Sequence, residues 1–474
     1  MGEQLGPVLA RRLTGGRITG VPEHIVGLEE SPDCVNIDPS SYRGAATRSG
    51  RTQHLSNNGS TATSVNGIAH WTKNDNTTFI LFAASNNVFV SSITTWASSF
   101  LGATIGGAAR FAPLNNILVM VGQLIEPASP PQKTSDGITW ANLGGSPPST
   151  AYYIAQYKSK LFLAGDPGNP QKISFCVSNN PEDWTTANNA GSITIDTGGG
   201  DKIRGLLSTR NGLVIFFRHA VHVLFGDSTF NYWVAPVSKK GATSESGFAV
   251  AGEIAFFASD DGIYSIRGAE VSLVSIKVQK DYADISDKSK VTLAVKNDKL
   301  FVFAWGESSP FALVLDYRKG VWSRYSDQPF KSVTPSQQND VYGGTSGSTL
   351  QVWKLEDGTA DGASAIAARW VTPDMDFDRW DAMKTLSRYQ VHANPGLPTT
   401  TVTFLADGAS IASTHVLTFT TTGRHEYSAK AFPQSLKTAR HLSMRLDWTG
   451  AGTLYGFAIY ATLRDDPDSP ARED

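Results

Sequence analysis

The sequence predicts an all-β protein built around a β-propeller, and three observations lead to this prediction. Short runs of β-branched and aromatic residues recur along the chain and are separated by polar turns. Tryptophans recur with a period in the mid-forties. Charged residues make up only 18% of the 474 residues, against a usual share of about 25%, while glycines number 44. Low charge with many glycines is typical of strand-rich proteins with frequent turns.

The apolar runs follow turns that favour a positive φ angle. Residues 117–121 follow Asn115-Asn116, and residues 263–266 follow Asp261-Gly262. These dipeptides tolerate the left-handed conformation that tight hairpins require. The runs therefore predict antiparallel hairpins. The best helical candidate, residues 281–290, is short and is expected to link two blades.

Tryptophan spacing gives the size of the repeat. Five tryptophans mark it: Trp96, Trp140, Trp184, Trp233 and Trp322. The successive gaps are 44, 44, 49 and 89 residues, and the last corresponds to about two units. A period in the mid-forties with four short strands per unit is the signature of propeller blades. We expect six or seven blades, with seven favoured over six and over a parallel β-helix. Trp140 and Trp184 are expected to be buried between blades.

The two ends of the chain do not share this rhythm. Residues 1–60 are irregular and are interpreted as an extended docking segment that precedes a propeller at 61–357. The last blade is short, and we expect an N-terminal strand to complete it. After a loop-rich joint, strands every ten to fifteen residues predict an antiparallel β-sandwich at 358–474. Its charged, proline-rich tail is expected to be frayed.

Charge and cysteine content limit the functional classes. The net charge of −2 gives no reason to expect wrapping of nucleic acid or binding to an acidic membrane. The two cysteines, Cys34 and Cys176, give neither a metal-ligand spacing nor a disulfide framework and are interpreted as buried thiols. No apolar run approaches the length of a membrane span, and the N-terminus lacks a signal-peptide core. We therefore expect a protein that is kept in a cytoplasm or is built into a particle assembled in a cytoplasm.

The sequence contains no pattern that indicates catalysis, so we predict no enzyme activity, no cofactor and no metal site. One phrase, residues 135–140, is similar to a shortened Asp-box of sialidases, which is a structural turn of a propeller blade. Sialidase chemistry would also need several arginines that converge on a carboxylate. The candidates for such convergence are Arg110, Arg204, Arg210, Arg218 and Arg267. Their convergence at the propeller centre would favour a glycosidase.

The N-terminal segment resembles the opening of tail nozzle proteins (tail tubular protein B-like) of short-tailed bacteriophages. The similar features are a Gly-rich lead at Gly15-Gly16, the phrase 31–38 (SPDCVNID), Gly44, and the basic phrase 47–50 (TRSG). Residues 370–377 (WVTPDMDF) are similar to sequences that follow the propeller in that family. Family members are usually much longer, so this chain would be a compact version.

The resemblance implies a structural virion protein of the phage tail, assembled in the host cytoplasm. Such a protein forms a ring, usually of six copies, that docks to the adaptor below the portal, continues the channel for DNA ejection and supports tail spikes or fibres. The residues expected to form the assembly interface are Asp33, Asn36, Asp38, Arg43, Arg48 and Arg51. The alternative is a receptor- or carbohydrate-binding tail protein, which exposed aromatics near Trp370 and Trp380 would favour.

Overall fold

Six antiparallel sheets of four strands and a seventh sheet of six strands form a closed ring. The computed structural model describes residues 5–22, 25–56, 64–84, 87–92, 95–100, 107–122, 130–334, 340–347, 350–394, 399–407, 409–419, 426–432 and 438–463. The first strands of successive sheets contact each other, and that of the seventh sheet contacts that of the first. The prediction of an all-β, seven-bladed propeller is confirmed. The tail expected to be frayed, 464–474, lies outside the described residues.

The strands before and within the first three blades have the following bounds. Five short strands come first: β1 (Val8–Ala10), β2 (Gly16–Arg17), β3 (Glu30–Ser31), β4 (Ala45–Ala46) and β5 (Arg51–Ser56). Blade 1 contains β6 (Gly67–Thr72), β7 (Thr78–Ala84), β8 (Asn87–Ser92) and β9 (Thr95–Phe100). Blade 2 contains β10 (Ala109–Leu114), β11 (Ile117–Gly122), β12 (Gln132–Thr134) and β13 (Ala141–Asn142). Blade 3 contains β14 (Tyr153–Tyr157), β15 (Lys160–Ala164), β16 (Lys172–Phe175) and β17 (Gly191–Thr194).

The remaining blades follow the same order. Blade 4 contains β18 (Ile203–Ser208), β19 (Leu213–Phe217), β20 (Val221–Phe225) and β21 (Trp233–Ser238). Blade 5 contains β22 (Phe248–Ala251), β23 (Ile254–Ala258), β24 (Ile263–Arg267) and β25 (Glu270–Leu273). Blade 6 contains β26 (Val291–Lys296), β27 (Lys299–Ala304), β28 (Phe311–Asp316) and β29 (Val321–Ser326). Blade 7 contains β30 (Phe330–Val333), β31 (Tyr342–Thr345) and β32 (Gln351–Leu355), and its fourth strand is β5.

The expectation that an N-terminal strand completes the last blade is confirmed. Strand β5 pairs antiparallel with β32, so the two ends of the propeller sequence close the ring within one sheet. A short hairpin, β33 (Ala360–Asp361) and β34 (Ser364–Ala365), extends that sheet beyond β5. Since β5 ends at Ser56, the last part of the segment 1–60 belongs to the propeller.

Helical structure in the described part of the chain is limited to short pieces. The α-helix α1 (Gln279–Ala283) lies between blades 5 and 6, next to 3₁₀ helices at Ile276–Val278 and Lys288–Lys290. A further 3₁₀ helix, Thr186–Asn188, lies between β16 and β17. The predicted helix at 281–290 is thus confirmed as a blade-to-blade link, but it is shorter than expected.

Turn residues explain where the hairpins reverse. Asn115 and Asn116 connect β10 to β11 with φ angles of 49° and 60°. Two consecutive positive φ angles match the twist of a two-residue hairpin turn, and asparagine adopts them readily. Asn297 has a φ angle of 54° at the turn between β26 and β27. The positions of these turns therefore follow directly from the local sequence.

The apolar core of the propeller lies between adjacent blades. One cluster joins Trp71, Leu81 and Val90 of blade 1 to Leu118 and Met120 of blade 2. Central strands such as β27 are buried along their whole length, because both faces of the sheet pack against neighbouring blades. This explains why the sequence shows continuous apolar runs rather than an alternating pattern.

The tryptophans that set the repeat length differ in their burial. Trp322, in the outermost strand β29, is only 1% exposed. Trp233, in the outermost strand β21, is 58% exposed. Trp140 and Trp184 are half-buried and pack at the edges of two interblade clusters. The expectation that both are buried between blades is therefore too strong, because they lie in or next to loops rather than within a strand.

The C-terminal part folds as a β-sandwich. Its strands are β35 (Ala367–Val371), β36 (Lys384–Ala393), β37 (Thr400–Ala406), β38 (Ala409–Leu417), β39 (Glu426–Ala431), β40 (Thr438–Ala439), β41 (Leu442–Thr449) and β42 (Thr453–Leu463). One sheet has the order β35-β41-β37-β38, and the other has the order β1-β42-β36-β39 with β4 and β40 at its sides. Trp370, Tyr389, Phe404 and Leu446 are in the core between the sheets.

The N-terminal segment is part of both folded units. Strands β1 and β4 pair with β42 of the sandwich, and Cys34, Ile37 and Ala45 belong to the sandwich core. The predicted segment 1–60 is therefore not a separate arm, since its apolar side chains complete a core that the C-terminal strands alone leave open.

Candidate functional site

The stretch that carries the family resemblance lies between the propeller and the sandwich, and we call residues 31–51 the joint segment. Val35 makes backbone bridges to Arg324, in the outermost strand of blade 6, and to Arg369, in the first strand of the sandwich. The amides of Val35 and Arg369 donate to each other's carbonyl oxygens at 3.0 Å. One residue thus connects a sheet of each unit.

Asn36 uses all the hydrogen-bonding capacity of its buried side chain. Its Nδ2 donates to Ser326 Oγ at 2.8 Å and to the carbonyl oxygen of Ala367 at 2.7 Å. Its Oδ1 accepts from Arg48 Nε at 2.9 Å and from the amide of Ser326 at 3.0 Å. Its φ angle of 58° is one that asparagine tolerates well. Asn36 therefore ties the propeller, the sandwich and Arg48 together.

Arg48 and Arg51 meet at one carboxylate. Arg48 binds Asp361 through two parallel hydrogen bonds of 2.9 and 2.7 Å. Arg51 Nη2 lies 3.7 Å from Asp361 Oδ2 and donates to Asp327 Oδ2 at 2.5 Å. The Arg51 guanidinium also lies 5.0 Å from the ring centre of Trp353. Both arginine side chains are buried, so this basic phrase is used within the chain.

Asp38 lies in a buried charge cluster with Lys299 and Glu356. Lys299 Nζ is 3.0 Å from Asp38 Oδ1 and 2.6 Å from Glu356 Oε2. Burial opposes ionisation of Asp38, but the charge of Lys299 and the hydrogen bonds from Ser40 outweigh it and hold the pKa of this carboxyl below its usual range. Burial raises the pKa of Glu356 despite the neighbouring Lys299.

Asp33 is shared by two arginines. Arg17 Nη1 donates to Asp33 Oδ1 at 2.7 Å, and Arg369 Nη1 donates to Asp33 Oδ2 at 3.4 Å. Arg17 precedes the joint segment, whereas Arg369 is in the sandwich. Asp33 therefore links the beginning of the chain to the C-terminal unit.

Arg43 is the only one of the six predicted interface residues that is exposed as a whole residue. It lies in the turn before β4, next to Tyr42, which is 82% exposed. Lys319 Nζ lies 3.3 Å from the ring centre of Tyr42. The other five predicted residues make the contacts within the chain described above. Their role between subunits stays a prediction, and Arg43 with Tyr42 is the part of the joint segment best placed for it.

Two glycines of the joint segment are required by close backbone approach. A Cβ atom at Gly44 would lie 2.2 Å from the carbonyl oxygen of Leu454 in β42. A Cβ atom at Gly50 would lie 2.0 Å from the carbonyl oxygen of Ala360 in β33. Such distances exclude any side chain without a backbone shift. The glycines of the motif thus mark where the segment touches the sandwich and blade 7.

The partners of these residues could not be found from the sequence pattern. The missed side chains are Arg17, Asp281, Lys299, Glu356 and Asp361. They lie in different elements, and their charges looked like ordinary turn or strand residues. The available signal was the motif itself, since a run with two glycines and two arginines needs backbone and carboxylate partners elsewhere in the chain.

The aromatic pair that would favour a receptor-binding sandwich does not form a cluster. Trp370 is buried in the sandwich core, whereas Trp380 is 73% exposed. The two therefore cannot present a common aromatic face.

The centre of the propeller holds a small, largely apolar cavity that also contains a charged pair. Innermost strands of all seven blades line a space of about 210 Å³. Arg110, in β10, donates to Glu245 Oε2 at 3.1 Å and to the carbonyl oxygen of Tyr152 at 2.9 Å, and it lies over the Tyr153 ring. Arg204, in β18, is the second arginine near Tyr153. Burial raises the pKa of the Tyr153 hydroxyl, so it stays protonated at neutral pH.

The other three arginines named for a sialidase lie away from this cavity. Arg210 Nη1 is 3.9 Å from Glu253 and Arg218 Nη2 is 2.8 Å from Asp260, while Arg267 is exposed in β24. Three arginines of this set therefore do not converge on the Tyr153 hydroxyl. That the chain is not an enzyme stays a prediction.

The phrase similar to an Asp-box forms a turn. Asp136 accepts hydrogen bonds from the amides of Ile138 and Thr139 and from the Thr134 hydroxyl, at 2.7–3.0 Å. Although desolvation works against it, these bonds lower the pKa of Asp136 to about 2. Asp136 therefore stabilises the loop between β12 and β13, which is a structural role.

Metal and membrane features can be stated for the described residues. Among them no three His, Cys, Asp or Glu side chains come together as a metal site. The helices in the described ranges are too short to cross a bilayer.

The chain is similar to known proteins in its fold and not in its sequence. No protein-family model and no curated protein matches the chain. The extracellular domain of a putative hybrid two-component system from B. thetaiotaomicron is similar at 10% identity and a TM-score of 0.42. That match covers 64% of this chain and 39% of the other.

Two further solved structures are similar over most of their own length. The Neurospora crassa Pan2 WD40 domain matches at 8% identity and a TM-score of 0.42, over 65% of this chain and 95% of that one. The N-terminal domain of Nup159 matches at 8% identity and a TM-score of 0.40, over 67% and 97% respectively. At this similarity they carry no argument about function. The sheet topology of the chain itself shows that it is a β-propeller protein with a β-sandwich packed against the propeller.

Proposed function

We propose that this chain is a structural virion protein, a compact tail nozzle subunit of a short-tailed bacteriophage. Copies of it would form a ring, six in number by resemblance, below the adaptor and portal. The ring would continue the path for DNA ejection and support tail spikes or fibres. The proposal is carried by the joint segment, whose motif residues resemble that family.

The motif residues of the joint segment make long-range contacts within the fold. Asn36, Gly44, Arg48 and Gly50 each contact a part of the propeller or sandwich that lies far away in sequence. The motif is therefore tied to the whole architecture rather than to about forty residues of it.

The buried joint also suits a component whose two units must keep a fixed relative position. Backbone bridges through Val35 and the ion pairs of Asp33 with Arg17 and Arg369 connect the two units. A ring closes only if every copy presents its two complementary faces at a fixed angle. A rigid connection between propeller and sandwich would supply that constancy.

Any DNA path must run between copies and not through the propeller itself. The central cavity, at about 210 Å³, is interrupted by the Arg110–Glu245 pair. It cannot admit a duplex whose major groove alone is about 12 Å wide. A net charge of −2 is compatible with a surface along which DNA slides, because tight DNA binding requires many cationic contacts.

The decisive experiment is antibody-gold labelling of phage particles whose genome encodes this chain, viewed by electron microscopy. Label at the lower tail, below the portal, is the expected result. Label at the fibre tips would instead favour a receptor-binding protein, and particles without label would overturn the virion proposal.

A pair of variants tests the predicted contact between subunits. Arg43→Glu should reduce incorporation of the chain into particles, since Arg43 is exposed on the joint segment. Arg267→Glu is the matched control, because this arginine is exposed on blade 5 and makes no ion pair with any described residue. Equal incorporation of both variants would remove Arg43 from the interface.

A further inference from the structure

A polar cleft on blade 3 has no part in the joint or in the central cavity. It is bounded by the loop 146–150, the strands β16 and β17, and the loop that leads into β21 of blade 4. Its volume is about 710 Å³, within the range of roughly 300–1,000 Å³ that is usual for small-molecule sites.

Unused hydroxyl groups line the cleft. Ser174 and Ser192 lie directly opposite each other on β16 and β17, and both line the cleft. Neither side chain makes a hydrogen bond to any residue that the structure describes. A hydroxyl both donates and accepts, so this pair is suited to a ligand that also carries donors and acceptors together.

The charged groups of the cleft balance. Asp166 accepts hydrogen bonds from Thr150 Oγ1 at 2.8 Å, the amide of Gly168 at 3.1 Å and Asn169 Nδ2 at 3.0 Å. Burial opposes its ionisation, but these bonds keep the pKa of Asp166 below its usual value. Lys172 supplies one positive charge on the same lining. An anionic ligand would meet Asp166 and a cationic ligand would meet Lys172, so a neutral ligand fits best.

Aromatic rings complete the lining. Trp184 is half-buried, and its indole N–H already donates to the carbonyl oxygen of Pro181 at 2.9 Å. The ring therefore offers an apolar surface without an unsatisfied donor. Tyr232 also lines the cleft and packs edge-on against Phe175 at 5.3 Å between ring centres. The cleft thus pairs an apolar ring surface with free hydroxyls.

We propose that this cleft binds a neutral oligosaccharide. A neutral sugar ring has an apolar C–H face for an aromatic side chain and a rim of hydroxyls that donate and accept hydrogen bonds. Trp184 would pack against that face, and Ser174, Ser192 and Lys172 would bind the hydroxyls. This site is independent of whether the chain is a tail nozzle protein.

The test is binding of defined saccharides to the full chain, measured by saturation-transfer NMR and by isothermal titration calorimetry. The neutral probes are maltotriose, cellotriose, galactotriose and N,N′,N″-triacetylchitotriose, and sialyllactose is the acidic probe. We expect at least one neutral trisaccharide to bind and sialyllactose to bind more weakly. Binding of sialyllactose alone, or of no neutral probe at millimolar concentration, would overturn the proposal.

Variants place the binding in the cleft. Trp184→Ala should weaken binding roughly tenfold or more, as for an aromatic anchor of a binding site. Because Trp184 also packs against an interblade cluster, the double variant Ser174→Ala, Ser192→Ala gives a second reading with little risk to the fold. It should weaken binding roughly threefold to tenfold for each hydroxyl lost.

The matched control is Trp380→Ala, which removes an exposed tryptophan from the sandwich. It should leave saccharide binding unchanged. Thermal unfolding of each variant separates loss of binding from loss of fold. Binding that persists in both cleft variants, or that is lost in Trp380→Ala, would place the site elsewhere and refute this assignment.

Discussion

Arg17 and Asp281 form a buried two-point ion pair across 264 residues of sequence. Arg17 Nε donates to Asp281 Oδ2 at 2.9 Å, and Nη2 donates to Oδ1 at 2.8 Å. Arg17 is in β2, and Asp281 is in the short helix between blades 5 and 6. The pair fixes the start of the chain on the propeller before the joint segment reaches the sandwich.

Removal of Arg17 should be strongly destabilising. In Arg17→Met, Asp281 would remain buried with only the Thr19 hydroxyl at 2.6 Å and the more distant Arg324 as partners. We expect the free energy of unfolding, measured in urea, to fall by about 3–5 kcal/mol, as when one partner of a buried pair is lost.

Two controls define the cause of that loss. Arg318→Gln breaks an exposed pair with Asp298 and should cost less than about 1 kcal/mol. The double variant Arg17→Met, Asp281→Leu should recover part of the stability, because no charge is then left unpaired. Equal losses in Arg17→Met and Arg318→Gln would show that burial of the Arg17 pair contributes nothing.

Asp281 also predicts a dependence of stability on acid. Burial opposes its ionisation, but Arg17 outweighs burial and lowers the pKa of Asp281 in the folded state. The unfolded chain therefore binds the proton more readily, with a pKa of about 3.9. The contribution of this carboxylate is complete above that pH and is lost as the pH falls through the lower folded pKa.

The measurement is urea unfolding of the wild type and of Asp281→Asn between pH 7 and pH 2.5. The wild type should be the more stable at pH 7, and the difference should shrink below about pH 4. The contribution of Glu356 to stability should change with pH in the opposite direction, because the pKa of Glu356 is raised in the folded state. A difference that stays constant down to pH 2.5 would contradict the lowered pKa of Asp281.

The fold could be predicted from sequence where the cause is local. Asn115 and Asn116 set a hairpin through their own φ angles, and the tryptophan spacing gave the blade length. The joint could not be predicted, because Arg48 and Asp361 are 313 residues apart and only the closed ring brings them together. For the same reason, five of six predicted interface residues lie in contacts that no local pattern encodes.

The spacing of the tryptophans likewise did not predict how deeply each one is buried, and these differences in burial can be tested. Trp322 is 1% exposed, and its indole N–H donates to the carbonyl oxygen of Val274 at 3.2 Å. Trp322→Ala should lower the free energy of unfolding by about 3–5 kcal/mol. Trp140 and Trp184 are half-buried, so their alanine variants should each cost about 1–2 kcal/mol. Urea unfolding of the three variants checks this order, and a larger loss for Trp140 than for Trp322 would reverse it.

The buried cysteines should be chemically silent in the folded protein. Cys34 and Cys176 are both 0% exposed and unpaired. Burial raises the pKa of the Cys34 thiol to about 12, and it raises that of Cys176 as well. Because only the thiolate reacts readily, an aromatic disulfide reagent at pH 8 should modify neither thiol in native protein and both in urea. Rapid reaction of a native thiol would mean that the sandwich core or blade 3 opens.

Deletion of residues 21–51 is the sharpest test of the joint segment. If the segment were only a docking arm, the deletion would leave a soluble propeller. The structure leads to the opposite expectation, because Cys34, Ile37 and Ala45 fill the sandwich core and Asn36 and Arg48 join the two units. We expect the deletion variant to be insoluble or to lose the near-ultraviolet circular dichroism of packed aromatics.

The matched variant changes only the exposed part of the same segment. Tyr42→Ala with Arg43→Ala should alter the free energy of unfolding by no more than about 0.5 kcal/mol, as is usual for surface positions. A soluble deletion variant with native circular dichroism would mean that the C-terminal strands form their core unaided. A large loss in the double variant would mean that the turn at Tyr42, held by Lys319, is itself part of the joint.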